Sequence, residues 1–275
     1  MKSVLAKQED GTITLTITIP QKEITKTSEE VIDDIVKNTT LPGFRKGMAP
    51  RKLVVEKLQK TELQEDVLKK LLPVSYAEAI KEHQLKPIVS PKIHVEKLPE
   101  DKDWIFTATT CETPNIHLGE YRKKVNDVTA KNKIIVPGKE AQEPNMEEIV
   151  KAILDEVKLT LPRVLLDSET ERLLAQLLDE IKSLGLSLDQ YLASTHKSIE
   201  QLKKEYEERA KRDLMFEFAL QKIADEENIA VEQKEIDEAL AAARDQNERK
   251  NLQANTYLLA TILRQQKTLD FLKHL

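Results

Sequence analysis

The sequence predicts an α+β domain of antiparallel strands and helices over residues 1–113, followed by an all-α domain with extended helical arms over residues 145–275. Residues 12–20 alternate between threonine and large aliphatic side chains, which is the period of a strand with one buried face. From residue 145 onward, apolar residues recur at intervals of three and four, the period of an amphipathic helix. Of 275 residues, 33 % are charged, 4 % are aromatic and only six are glycine, a composition that favours long solvated helices.

The first predicted element is a β-hairpin. Its second strand runs from Thr12 to Pro20, with aliphatic side chains on one face and threonines on the other. A turn signal at residues 9–11 comes directly before this strand. We therefore expect residues 3–7 to form the partner strand.

Three helices are predicted after the hairpin, each from a signal at its start. Thr27 and Glu30 have the pattern of a capping box, so a short helix is expected to begin there. Pro50 suits the first turn of a second helix because its φ is fixed. Thr61 with Gln64 opens a third helix.

Two further strands and a linker follow. The strands are predicted over residues 88–97 and 104–113, which completes a β-β-α-α-α-β-β order typical of an α+β domain. The character of the chain then changes at residues 114–144, where three prolines and two glycines lie among scattered charges. We expect this stretch to be a linker between the two domains.

The C-terminal part is predicted to be a series of helices with recognisable ends. Amphipathic spacing begins after Asn145, Pro162 suits the start of the next helix, and Gly185 suits its end. Capping boxes are predicted at Ser187 and Ser198, each followed three residues later by a glutamine. The later helices are expected over residues 199–225, 232–247 and 252–272.

The sequence contains no recognisable set of catalytic, metal-binding or cofactor-binding residues. Its five histidines are isolated from one another and Cys111 is the only cysteine, so metal-ligand spacing is absent. Gly43 and Gly47 do not form a nucleotide-binding fingerprint, and the chain has no nucleophile elbow. We therefore expect no catalytic residue, no metal and no cofactor.

The signals for cellular compartment favour the cytoplasm. A single cysteine cannot form a disulfide within the chain, which fits a reducing compartment. The N-terminal stretch is too polar for a signal peptide, and no run approaches the roughly 20 apolar residues of a membrane span. We expect a cytoplasmic protein with no membrane partner.

The stretch LPGFRKGMAP, residues 41–50, sets an aromatic ring and two cations between two glycines. Residues 45–60 carry six cations and one acid, a local charge of 6 − 1 = +5 in a chain of net charge −5. This patch favours an anionic partner such as RNA phosphate, and an arginine beside an aromatic ring also suits a protein anchor. Phe44 could instead plug its own domain, so the residues alone leave these interpretations open.

This stretch resembles a known docking motif, and the matching residues are Gly43-Phe44-Arg45-Lys46-Gly47-x-x-Pro50. The octet is similar to the ribosome-docking signature of the trigger factor family of bacterial chaperones. The resemblance implies that Phe44, Arg45 and Lys46 contact the large ribosomal subunit, at protein and RNA beside the tunnel exit. Met48 and Ala49 fall at variable positions of the signature, where a basic residue is common.

Other parts of the chain are similar to the same family. Residues 66–80, 113–121 and 159–192 resemble its long helix, the strand that runs into its linker and the start of its helical chaperone domain. Typical members insert a prolyl isomerase domain of the FK506-binding type, about 100 residues long, after the linker. Only residues 114–144 lie in that place here, so we expect that this domain is missing and that the chain has no isomerase activity.

The resemblance implies a chaperone that holds nascent or unfolded polypeptides without ATP. Helices with apolar faces and charged rims can supply a holding surface. The same residues at helical spacing commonly form internal core, and this alternative stays open for each of them. The candidate lining residues are Met215, Phe216, Phe218, Leu258, Leu259 and Leu263.

Three alternative functions stay open at this point. The first is a chaperone of the same family that retains isomerase activity. The second is a holdase that works without the ribosome, similar in its helical part to the periplasmic SurA type, and the third is a nucleic-acid binder that uses the basic stretch. The sequence leaves the clients and homodimer formation undecided.

Overall fold

A computed structural model of the chain describes residues 2–40, 42–99, 102–132, 145–242 and 245–275. The chain divides into two compact units. Unit 1 comprises residues 1–113 and 162–165, and unit 2 comprises residues 114–161 and 166–275. Unit 1 combines an antiparallel sheet with helices and unit 2 is rich in helices, so the predicted fold class is confirmed.

The sheet of unit 1 has four antiparallel strands in the order β1-β2-β4-β3. The predicted hairpin is confirmed, because β1 pairs with β2 across the turn. Ile17 on β2 lies opposite Phe106 on β4, and both side chains are fully buried on the face that the helices cover. The strands are β1 Lys2–Lys7, β2 Thr12–Ile19, β3 Lys92–Lys97 and β4 Trp104–Cys111.

Three helices complete unit 1: α1 Gln21–Asn38, α2 Arg51–Lys57 and α3 Lys60–Glu82. The prediction that the first helix begins at Thr27 is wrong, because α1 begins six residues earlier. Pro20 is extended at its N-cap, and the backbone N–H of Gln21 donates to Asp103 Oδ1 at 2.9 Å. The cap therefore comes from a carboxylate 82 residues away, which no local capping pattern reveals.

Asp10, in the β1–β2 turn, organises the loop around it. Its carboxylate accepts hydrogen bonds from the backbone N–H groups of Thr12 and Arg163, at 2.9 and 2.8 Å. Burial alone would raise the pKa of Asp10, but these hydrogen bonds outweigh it and hold the pKa below its ordinary value of 3.8. The charged carboxylate is thus the form that stabilises unit 1.

Replacing Asp10 by asparagine is expected to lower the free energy of unfolding of unit 1 by about 1 kcal/mol at pH 7. This is the usual effect of losing a side chain that accepts from the N–H at a helix start, as Asp10 does from Arg163. The folded pKa lies below the unfolded pKa, so this stabilisation is present above about pH 4 and is lost as the pH falls through the folded value. The free energies of unfolding of the unchanged chain and of Asp10→Asn should therefore become equal near pH 2. Denaturant unfolding followed by the fluorescence of Trp104, the only tryptophan, measures this; an equal difference at both pH values would contradict it.

Unit 2 consists mainly of helices, with one short ladder in which β5 Ile116–His117 pairs with β6 Lys158–Leu159. Its main buried cluster includes Val125, Ile149, Ile153, Ile223 and Leu272. The helices are α4 Tyr121–Asn132, α5 Met146–Glu156, α6 Arg163–Ser183, α7 Leu188–Thr195, α8 Ile199–Glu226, α9 Gln233–Ala241, α10 Gln246–Ala254 and α11 Thr256–His274.

Several helix ends in unit 2 follow the sequence signals. Ser187 and Ser198 form reciprocal capping boxes with the glutamines three residues later, as predicted. Gly185 has φ +73° just after the end of α6. The helix predicted over residues 232–247 is wrong, because α9 ends at Ala241 and the next helix begins at Gln246.

The predicted linker, residues 114–144, contains regular structure in its first part. Tyr121 and Val125 of α4 are buried in the core of unit 2, and the Tyr121 hydroxyl donates to Glu227 Oε1 at 2.6 Å. Their spacing of four residues is a helical signal that the prolines and charges around them obscured. Residues 133–144, with the apolar run 134–136, lie outside the described residues.

Candidate functional site

The first candidate site is the loop between α1 and α2, residues 39–50, which contains the predicted docking octet. Its two ends are held together by the N–H of Gly47, which donates to Thr39 O at 3.1 Å. A turn within it is closed by Met48 N–H, which donates to Arg45 O at 3.0 Å. Gly43 and Gly47 have φ values of +87° and +78°, a region that favours glycine.

The three central side chains of this loop face solvent. Phe44 is 38 % exposed and is not among the residues packed in or against the core of unit 1. Arg45 and Lys46 are exposed. Across the part of the chain that the structure describes, neither cation has an ion-pair or side-chain hydrogen-bond partner, whereas Arg51 nearby pairs with Asp33 at 3.5 Å. We call Phe44, Arg45 and Lys46 the docking tip.

The loop is anchored to unit 1 on its C-terminal side. Ala49 and Val54 are buried, at 5 % and 2 % exposure, and Pro50 is the N-cap of α2 as the octet requires. Anchoring at these positions fixes the orientation of the exposed residues just before them. The docking tip is therefore presented from a packed base.

The apolar surface beside the docking tip is wider than the octet suggests. Met48 is 74 % exposed, and Leu53 and Val55 on α2 are also exposed. Three consecutive apolar residues, 53–55, cannot all lie on one face of a helix, and this signal was present in the sequence.

The two glycines of the octet are expected to differ in their tolerance of a side chain. A Cβ at Gly47 would lie 3.0 Å from Lys37 O, whereas a Cβ at Gly43 would meet no atom within 4 Å. Both substitutions strain a positive φ, so Gly43→Ala should cost about 1 kcal/mol and Gly47→Ala roughly 1 kcal/mol more. Denaturant unfolding followed by Trp104 fluorescence measures both variants. Equal losses would show that Lys37 does not constrain the loop.

The six residues predicted to line a client surface differ in how far their side chains are exposed. Phe218 and Leu259 are buried at 8 % exposure each, and Phe216 packs against the core of unit 2. Met215 and Leu263 are half-buried. Leu258 is 58 % exposed, so it presents most of its side chain to solvent.

Leu258 lines the second candidate site, a groove of about 600 Å³ between α8, α11 and the connection of α8 to α9. Its apolar walls come from three elements of unit 2. The residues are Leu220 and Ala224 on α8, Ile229 and Val231 on the connection, and Tyr257, Leu258 and Ala260 on α11. Gln221, Thr261 and Gln265 add neutral polar groups along the groove. The groove can therefore receive apolar side chains beside a polar backbone.

Sequence analysis missed Tyr257, which is 87 % exposed and lines the groove. It directly precedes Leu258 and buried Leu259. Three large apolar residues in succession on a helix cannot all face the core, so the run itself indicates exposed apolar surface. Ile229 and Val231 were missed because they lie in a connection, where no periodicity marks them.

Neither site carries the residues of a metal centre. In the described ranges, no three side chains among His, Cys, Asp and Glu are grouped so that they could hold an ion. Within the same ranges, no helix is both long and apolar enough to cross a membrane. What the two sites share is exposed apolar surface beside polar groups.

Family models match the chain over nearly its whole length. The model described as "Bacterial trigger factor protein (TF)" matches residues 1–149, and the model described as "Bacterial trigger factor protein (TF) C-terminus" matches residues 137–274. The two matches overlap at residues 137–149.

Curated relatives match the chain in part. The trigger factors of Staphylococcus epidermidis and Staphylococcus aureus are each 34 % identical to it over 122 residues, 44 % of this chain. The chain spans 28 % of the length of these relatives.

A solved structure from work on promiscuous substrate recognition in folding and assembly by the trigger factor chaperone has the same fold. It superimposes with a TM-score of 0.67, covers 100 % of this chain and 99 % of its own, and is 14 % identical in sequence.

Proposed function

The chain belongs to the bacterial trigger factor family, and on that premise we propose that it is a cytoplasmic, ATP-independent chaperone that docks on the large ribosomal subunit. In this role it holds apolar segments of nascent or unfolded polypeptides. The observation that carries the proposal is the docking tip, in which a partly exposed phenylalanine and two exposed cations, neither with a partner among the described residues, project from a packed base.

The chemistry of the docking tip suits a surface beside the tunnel exit. The Phe44 ring gains free energy when an apolar niche covers its exposed part. Arg45 can form paired hydrogen bonds to a carboxylate or a phosphate, and Lys46 adds a point charge. Because neither cation has an ion-pair partner among the residues that the structure describes, binding breaks no ion pair within that part of the chain.

The groove beside α11 suits the holding of clients. Its volume of about 600 Å³ admits a few apolar side chains, and its walls come mostly from neutral residues, with Glu217 and Arg264 as the charged ones. Affinity at such a site is modest, which lets a client leave before it is trapped. Docking near the exit raises the local concentration of emerging chain, so a modest affinity is sufficient.

We further propose that the chain has no prolyl isomerase activity. α4 ends at Asn132 and α5 begins at Met146, so residues 133–145 are the whole connection between them. A domain of about 100 residues does not fit there. The overlap of the two family matches at residues 137–149 also supports this proposal.

An isomerisation assay on a short proline peptide should give the uncatalysed rate with this chain at any concentration up to the micromolar range. The physical reason is that neither candidate site supplies an enclosed pocket for a proline ring. A full-length trigger factor serves as positive control. A rate above background that rises with chain concentration would favour the alternative of a chaperone that retains isomerase activity.

The function itself is tested by two measurements on the intact chain. Large ribosomal subunits should co-sediment with it, and it should delay the aggregation of an unfolded test protein without ATP. A ribosome-independent holdase would delay aggregation but would not co-sediment. A general RNA binder would bind free RNA as well as subunits, with a steep dependence on salt.

A further inference from the structure

The α8–α9 connection forms one wall of the groove. Two cations on α11 hold this connection by hydrogen bonds. Arg264 Nε donates to Ile229 O at 2.7 Å, and its second nitrogen, Nη2, donates to Asp225 Oδ1 at 2.7 Å. Lys267 Nζ donates to Ala230 O at 2.7 Å and pairs with Glu235 at 2.9 Å. Two side chains, one turn apart on α11, therefore hold two consecutive carbonyl groups of the connection.

The hydrogen bonds that hold the α8–α9 connection come partly from α8 and partly from α11. Two residues after the end of α8, Asn228 adopts a left-handed conformation, and the N–H of Ile229 then donates back to Ala224 O at 2.8 Å. The carbonyl groups of Ile229 and Ala230 lie beyond that closure and accept from α11 instead. Ile229 and Val231 line the groove from the same segment, so its position sets the shape of the groove.

We infer that Arg264 and Lys267 are positioning residues of the client site: they fix the α8–α9 connection as one wall of the groove. The inference rests on the proposed holding function of that groove. Arg264 is suited to the role because two different nitrogens of its planar guanidinium donate to a carbonyl and to a carboxylate at once. Lys267 also holds the pKa of the Glu235 carboxyl below its ordinary value, as a formed ion pair does.

The test compares Arg264→Met, Lys267→Met and the double variant with the unchanged chain at 25 °C. Methionine keeps the apolar stem of each side chain and removes the donors. The probe is an acetylated and amidated decapeptide of uncharged apolar residues, labelled for fluorescence anisotropy, so a direct charge effect on the probe is avoided. Affinity should fall about tenfold in the double variant, and Arg264→Lys should lie between the double variant and the unchanged chain.

Lys197→Met is the matched control, since it removes an exposed ion pair with Glu205 in the same unit, outside the groove. It should bind the peptide as the unchanged chain does. Hydrogen exchange gives a second readout, in which the amides of residues 229–231 should exchange at least about tenfold faster in the double variant. Unchanged peptide affinity or unchanged exchange in the double variant overturns the inference.

A further variant separates this inference from the proposed function. Leu258→Asp places a charge in the groove and leaves Arg264 and Lys267 unchanged. If Leu258→Asp weakens peptide binding and the double variant does not, the positioning role alone is wrong. If Leu258→Asp leaves peptide binding unchanged, the groove is not the client site, and both the proposed holding role of the groove and this inference fall.

Discussion

Replacing Phe44, Arg45 and Lys46 together by alanine is expected to weaken binding to the large ribosomal subunit by at least about a hundredfold. Arg45 and Lys46 are exposed, and Phe44 is 38 % exposed and lies outside the main buried cluster of unit 1, so their truncation changes the contact surface and leaves that cluster intact. A buried aromatic anchor or arginine in an interface commonly contributes about 2 kcal/mol or more, and each 1.4 kcal/mol is a factor of ten. Sedimentation titration with purified subunits measures the dissociation constant.

The matched control removes the same kinds of side chain from elsewhere on unit 1. Lys2→Ala/Val4→Ala/Lys22→Ala takes away two exposed cations and one exposed apolar residue, outside the loop. It keeps the net charge equal to that of the docking variant, so a general electrostatic attraction would weaken both proteins alike. Equal loss in the two variants would contradict specific docking and would favour nonspecific attraction to RNA.

Leu258→Asp should reduce the affinity for an unfolded client by at least about tenfold. Leu258 is 58 % exposed and lines the groove, so a bound apolar side chain covers it, and a carboxylate there must be desolvated. Because the residue is exposed in the free chain, its replacement should have little effect on the stability of unit 2. The measurement is the concentration of chain that halves the aggregation rate of a chemically unfolded test protein.

Ile262→Asp provides the control for this result. Ile262 lies one turn beyond Leu258 on α11 and is 42 % exposed, but it does not line the groove. The two variants therefore carry the same new charge on the same helix. If Ile262→Asp lowers client affinity as much as Leu258→Asp does, clients bind the exposed surface of α11 in general, and the groove has no special role.

Much of unit 1 could be predicted because its signals are local. The alternation of residues 12–20 matches β2, and the octet places its Pro50 at the N-cap of α2. The start of α1 could not be predicted, since Asp103, which directly precedes the neighbouring strand β4, caps it. A cap supplied from distant sequence leaves no trace near the helix that it begins.

The proposed client site could be predicted only in part, for a different reason. Helical periodicity identifies which residues are apolar, but it does not decide whether a given face meets a core or solvent. Phe218 and Leu258 have similar sequence signals, yet one is buried and the other is exposed. The hydrogen bonds of Arg264 and Lys267 to the α8–α9 connection could not be predicted from the sequence, because their acceptors are backbone carbonyls more than thirty residues away.

The most direct test of the docking tip is photocrosslinking from position 44. Benzoylphenylalanine in place of Phe44 keeps an aromatic ring there, and irradiation with large ribosomal subunits should yield a covalent adduct with a component beside the tunnel exit. The same probe at Tyr257, on unit 2, serves as the comparison and should yield far less of that adduct. Equal adduct from the two positions, or none from position 44 while the chain remains bound, would show that the chain attaches to the ribosome by another surface.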